Sequence, residues 1–219
     1  MRRTISYIAA QPDAYKNALG ENCTYPEIKN QVYAIDGSER DREIALQIVQ
    51  LARQLRGLNY LVKPIKDDPG LGDLDPEALQ RYVEWRIDAA RFLAAYTVMH
   101  ALRASKYVLM EVVLGHEEAC NAARLKPDDN HTERQGLIEK ISQKTRKMPA
   151  PAVDPAFLPD FLKDANRYQN AVTQELHLYE QITALTLELS QKREKTKVRQ
   201  ILEASQRHQK LLVFEERIL

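Results

Sequence analysis

Four side chains carry chemistry in otherwise apolar surroundings: Glu111, Glu175, His208 and His100. A carboxylate-bridged metal bundle draws a Glu from each of two helices and a Glu-x-x-His pair from each of two others, all pointing inward. Glu175 occupies one slot of an apolar helical seam and His208 a slot of the next, while Glu111 and His100 are lone polar groups in a central apolar run. These four are the candidate metal ligands of an alternative reading as a ferritin-like di-metal oxidoreductase, with iron or manganese as the cofactor. The spacing argues against it. Glu111 and His116 are five apart, as are Glu203 and His208, and five residues turn a continuous helix to about 140°, off any shared face. Ser205, a poor ligand, stands three before His208, and Glu84 falls on a solvated stripe. The preferred reading is structural: a single Glu or His in a seam hydrogen-bonds across the bundle and fixes register.

The run Lys192-Arg193-Glu194-Lys195-Thr196-Lys197-Val198-Arg199 is a local basic patch. It supports a second alternative, a nucleic-acid-associated protein using residues 192–199. No aromatic residues interleave it, so a solvated interhelical turn is preferred. Tyr168 and Tyr179, at helical spacing, read as core. Trp85 beside Arg86 reads as a core edge or an interface anchor, since Trp and Arg are enriched at contact hot spots. Phe214, Ile218 and Leu219 extend the interface candidates, because Leu211–Leu219 is unusually apolar for a free terminus. Nucleotide-binding glycine loops, nucleophile elbows, HExxH pairs and EF-hand loops are all absent from the sequence. No catalytic or cofactor-binding residue is assigned, and the chain reads as noncatalytic.

These residues sit in a sequence written for helices. It has 219 residues, 44% hydrophobic and 29% charged, with only seven glycines. A net charge of +1 gives no global pull toward nucleic acid or anionic membrane. Cys23 and Cys120 are far apart and outside any CxxC pattern, which suits free buried thiols in a reducing compartment; a disulfide between them is the alternative. After Met1-Arg2-Arg3, the stretch Thr4–Ala10 is too short and polar for a signal sequence, so a cytoplasmic location is expected.

The organising stretch is 76–114. Asp75 can cap a helix and Pro76 fits its first turn. Between Pro76 and Gly115 there is no further Gly or Pro, and Phe92–Leu102 is apolar almost all round, so the helix should be surrounded. Arg103 and Lys106 interrupt it before it reaches the roughly 18 apolar residues of a membrane span, so no transmembrane segment is expected. Either one helix or a pair hinged near Arg103–Lys106 fits. Upstream, Ser38 with Asp41 resembles a capping box, and Ile44, Ile48, Leu51, Ala52 and Leu55 form one stripe closed by Gly57. The apolar Leu58–Ile65 region followed by Pro69, Gly70 and Gly72 reads as a loop across the core. Thr132 with Gln135 is a further capping pair, before a short amphipathic helix with Leu137, Ile138 and Ile141. Four prolines in Met148–Pro159 make a semi-rigid strap. Phe161, Ala165, Tyr168, Val172, Tyr179, Ile182 and Leu189 then follow a helical rhythm that changes phase across 190–196, the mark of a helical hairpin.

The expected fold is therefore all-α: a helical bundle with a buried central helix or hairpin and a C-terminal helical hairpin. The expected organisation is a helical region 1–147, a strap 148–159 and a hairpin 160–219, with the first and last joinable into one domain. The expected function is a noncatalytic helical subunit or adaptor of a larger protein assembly. It would bind a protein partner, or itself, through helix–helix contacts.

Overall fold

The structure is a computed structural model, and it describes residues 37–61, 75–126, 135–144, 148 and 155–207. All of these belong to one unit, Ile35–Leu219. They form eight α-helices: α1 (Glu39–Ala52), α2 (Leu58–Leu61), α3 (Pro76–Ala104), α4 (Lys106–Leu114), α5 (His116–Ala123), α6 (Leu137–Lys144), α7 (Ala165–Glu188) and α8 (Lys192–Arg207). Among the described residues there is no strand; a single antiparallel bridge joins Gly115 and Gln135. The fold is an all-α bundle. No described helix is long and apolar enough to cross a membrane.

Local chemistry sets where these helices start. Ser38 and Asp41 exchange side chain and backbone in a full capping box at the head of α1. Asp75 accepts the Ala78 N–H at 2.8 Å, with Pro76 in the first turn of α3. Asp164 caps α7 by accepting the Arg167 N–H at 2.9 Å. Helix α7 thus begins at Ala165, later than the Phe161 suggested by the rhythm, and Phe161 lies in a 3-10 turn, Asp160–Leu162. A second 3-10 turn, Pro155–Phe157, lies in the strap region, of which 149–154 is outside the described residues, as are 62–74 and Thr132.

The hinge left open near Arg103–Lys106 is a break of one residue. Ser105 has extended backbone (φ −167°, ψ 165°), its N–H ends α3 on the Ala101 carbonyl, and its hydroxyl caps α4 by accepting the Val108 N–H. The backbone N–H closes α3 as any non-proline residue's would; the serine side chain is needed on the α4 side, where its hydroxyl oxygen replaces the missing backbone acceptor.

Helices α1, α3, α4 and α7 make the core. Helix α1 packs on α3 and α7; α4 packs on α7 and α6; α6 also meets α7 and α2, and α2 lies on α3. Ile44, Ile48, Ala52 and Leu55 are buried as one stripe, facing Val83, Ile87, Ala90, Ala94, Val98, Tyr168, Val172, Tyr179 and Ile182. Each large aliphatic or aromatic side chain withdrawn this completely contributes about 1.5–3 kcal/mol. Helix α4 meets the expectation of a surrounded helix, with Val108, Leu109, Met110, Glu111 and Val113 buried. Helix α3 departs from it. Its Val83–Ile87–Ala90–Ala94–Val98 side is buried, while Trp85, Phe92, Leu93 and Tyr96 face outward, and no described helix covers them. The described helices packed against this 29-residue rod bury only one of its sides.

Candidate functional site

Of the four proposed ligands, Glu175 has the most built surroundings. The seam of α7 turns it inward between Val172 and Tyr179, where it is 1% exposed. Its carboxylate accepts the Arg56 N–H and the Leu58 N–H, both at 3.1 Å, with the Gly57 N–H contributing as well. Consecutive amide N–H groups converging on one anion form a backbone nest. Here the protein fills its own nest. The corner adopts this shape because Gly57 takes φ +75°, a left-handed conformation glycine enters without strain. A Cβ on Gly57 would lie 2.1 Å from the Ala90 carbonyl oxygen, so the corner also rests directly on α3. The Arg56 side chain completes the clamp, donating to Gln174 Oε1 at 2.8 Å and lying over the Phe161 ring. Burial pushes the Glu175 carboxyl up to about 7, against the opposing pull of the Leu58 and Arg56 N–H groups. Burial and the Glu175 charge together push the Tyr168 phenol up to about 12, and they raise Tyr179 well above its ordinary range.

Glu111 belongs to a different cluster. It is buried on α4, and neither carboxylate oxygen receives a hydrogen bond among the described residues. His116 Nδ1 lies 3.5 Å from Glu111 Oε1, and His116 Nε2 lies 3.7 Å from Cys120 Sγ. The 140° objection to a Glu111–His116 pair is therefore overturned, because it presumed one continuous helix. Gly115, at φ 100° and ψ 169°, ends α4 and starts α5 on a new axis, folding the imidazole back toward the carboxylate. Gly136 packs directly on this corner: a Cβ there would fall 2.2 Å from the Leu114 carbonyl carbon. Thiol, imidazole and carboxylate stand in the order of a nucleophile, base and orienting group. The environment runs the other way: Cys120 is 3% exposed, and burial first, then the Glu111 charge, raise its thiol pKa. An activated cysteine needs the opposite shift and an open approach. Cys120 is a free thiol; Cys23 lies outside the described residues.

His100 is half-buried on α3 and stacks on Tyr96, with ring centroids 5.4 Å apart. His208 lies outside the described residues, as do Phe214, Ile218 and Leu219. Among the described residues no three His, Cys, Asp or Glu side chains gather in a way that can hold a metal ion.

The basic run is not a solvated turn. The turn is Leu189–Gln191, and the run forms the first two turns of α8, with Thr196 buried. Arg193 donates to the Leu102 carbonyl at 2.9 Å and to the Arg103 carbonyl, and Lys197 Nζ donates to the Ala104 carbonyl at 2.6 Å. Glu194 Oε1 accepts the Lys106 N–H at 3.1 Å, and Lys106 Nζ reaches the Leu189 carbonyl at 2.6 Å. Cations meet the last carbonyls of α3 and an anion meets the first N–H of α4, each where the helix dipole favours it. Two cations of the run thus serve the α3–α4 break. At the same end, the Ser190 N–H and hydroxyl bond the Asp41 carboxylate at 2.9 and 2.6 Å, tying the α7–α8 turn to the head of α1. Burial works against the Asp41 charge, but the Ser190 and Ser38 hydrogen bonds outweigh it and hold the carboxyl well below its usual range.

Among the described residues, the outer side of α3 exposes a run of large apolar side chains. Trp85 is 60% exposed, Phe92 66%, Leu93 44% and Tyr96 46%. Phe92 stacks on Tyr96 at 5.9 Å, and Arg86 lies over the Trp85 and Tyr82 rings at 5.6 and 5.9 Å. Trp85 read from sequence as a core edge or an interface anchor, and the structure leaves it exposed; Phe92, Leu93 and Tyr96 were hidden inside a run read as buried. Their spacing from Trp85, at seven, eight and eleven residues, was the signal that all four share a side. The chain matches no protein-family model, no curated protein and no solved structure.

Proposed function

We propose that this chain is a noncatalytic helical subunit of a larger protein assembly, acting through helix–helix contacts in a reducing compartment such as the cytoplasm. The outer side of α3 carries the reading. Four large apolar side chains, 44–66% exposed and aligned over three turns, form an apolar stripe of the kind that marks protein interaction sites. Anchors at i, i+7, i+8 and i+11 are the pattern by which one helix lies against another. The bundle behind them is rigidly organised: the Glu175 clamp and the α8 caps hold the ends of α1, α3, α4 and α7, so α3 is presented preformed and little ordering entropy opposes binding. The buried free thiol of Cys120 accords with a reducing location.

The test is the native size of the chain in extract of the cells that make it. The chain should run in a complex, and Phe92→Glu should release it to its own 25.2 kDa. A chain that runs at its own mass with and without the substitution refutes the reading.

A further inference from the structure

The side chains flanking the α3 stripe are as ordered as the stripe itself. At 100° per residue, Arg81, Trp85, Asp88, Phe92 and Tyr96 fall within roughly 80° of one another around the helix, and Glu84 and Arg91 line one edge. Trp85, Phe92 and Tyr96 occupy the middle. Asp88 and Arg91 are 3.7 Å apart and mostly exposed, at 75% and 53% of their side chains. Glu84 is exposed and accepts from Gln80. Along this edge the signs run plus, minus, minus, plus at Arg81, Glu84, Asp88 and Arg91, and the four charges cancel.

We infer that this face pairs with the same face of a second copy, α3 against α3 and antiparallel. The inference rests on the reading of α3 as a contact surface and names its partner. A two-fold contact must be self-complementary, because each patch meets itself turned around. Set Trp85 opposite Phe92 of the other copy. The same register brings Arg81 opposite Tyr96, a cation over an aromatic face, and each of these contacts occurs twice. In an antiparallel pair like edges meet. Arg91 then falls level with the turn between Glu84 and Asp88 of the other copy, so each arginine meets two carboxylates, and the two Asp88 groups near the axis are each flanked by two arginines. A parallel two-fold pairing would instead set opposite edges side by side, placing Arg91 against the apolar Leu93 edge of the other copy and away from its carboxylates.

The area is of the right order. Taking about 200 Å² per large side chain, the four exposed apolar residues offer roughly 430 Å² per copy. A standard stable interface buries about 800 Å² per partner. The stripe with its charged edges therefore suits a reversible dimer in the micromolar range. Trp85 and Phe92 lie at the centre, where contact hot spots concentrate.

The experiment uses the purified full chain. Light scattering from 1 to 100 µM should show the mass rising from 25.2 kDa toward twice that value. Trp85 is the only tryptophan, so its emission should shift to the blue over the same concentrations. Phe92→Glu and, separately, Trp85→Ala should each raise the dissociation constant about 100-fold, with far-ultraviolet circular dichroism unchanged. Arg91→Glu should raise it about tenfold, and Arg91→Glu combined with Glu84→Arg and Asp88→Arg should restore it. A monomer at 100 µM overturns the inference. So does a dimer that survives both Phe92→Glu and Trp85→Ala, or a triple exchange that fails to recover what Arg91→Glu loses. If the pure chain stays monomeric while Phe92→Glu still releases it from its native complex, self-pairing falls and the subunit reading stands. If neither effect is seen, both fall.

Discussion

Replacing Glu175 by Gln should change how stability depends on pH, and the size of the change follows from the clamp. The folded protein raises the Glu175 carboxyl from the ordinary 4.5 to about 7, chiefly by burial. The folded state therefore holds this proton more tightly than the unfolded state. The stability linked to it is fully present below pH 4.5, and it is lost as pH rises toward and past 7. A separation of about 2.5 units corresponds to about 3 kcal/mol. The glutamine variant cannot titrate here. Its amide NH₂ must face either the Arg56 or the Leu58 N–H, which leaves a donor without its acceptor at a cost of about 1–3 kcal/mol. A protonated Glu175 avoids that loss, because both oxygens keep a lone pair for the N–H groups. The variant should therefore be less stable than the parent at pH 5 and should draw level with or overtake it at pH 8. Urea unfolding followed by circular dichroism, at half-unit steps between pH 5 and 8, reads this directly. Histidine titrations are common to both chains and cancel in the difference. A difference that stays constant across this range would refute the argument, since Glu175 would then titrate near its ordinary value.

The same bundle supports further expectations. Gly57→Ala should destabilise by about 2–4 kcal/mol, because it combines left-handed strain with a 2.1 Å approach to the Ala90 carbonyl; thermal melts should show a drop of several degrees. Arg193→Ala and Lys197→Ala should each cost about 1–2 kcal/mol and speed amide hydrogen exchange at the end of α3 and the start of α4, with no comparable change in α1. In a Cys23→Ser background, Cys120 should react with an aromatic disulfide reagent more than about 100-fold faster in urea than in the folded protein, since burial and the Glu111 charge disfavour its thiolate.

How far the sequence could be read depends on the range of the interaction. Ser38 with Asp41, Asp75 with Pro76, and the Ile44–Ile48–Ala52 stripe are decided within one or two helical turns. The residues alone therefore set the starts of α1 and α3 and the all-α class, while one helix or a hinged pair near Arg103–Lys106 stayed open. Glu175 was legible as a polar group in a seam, but its partners Arg56 and Leu58 are 119 and 117 residues away. Nothing in its neighbourhood announces whether such a carboxylate binds metal or caps a loop. The pairing of Glu111 with His116 was missed for a local reason: a five-residue spacing excludes contact only if Gly115 continues the helix, and its φ of 100° does not. The basic run offered no sign that its charges would meet carbonyls about 90 positions earlier.

Composition, caps and apolar periodicity by themselves determined that this chain folds as a bundle of helices and where α1 and α3 start. Only the tertiary structure decided which side of α3 is sheltered. Periodicity tells which residues avoid water on average, but burial is a property of neighbours. With α1, α2 and α4 gathered on one side of α3, Trp85, Phe92, Leu93 and Tyr96 were left on the other.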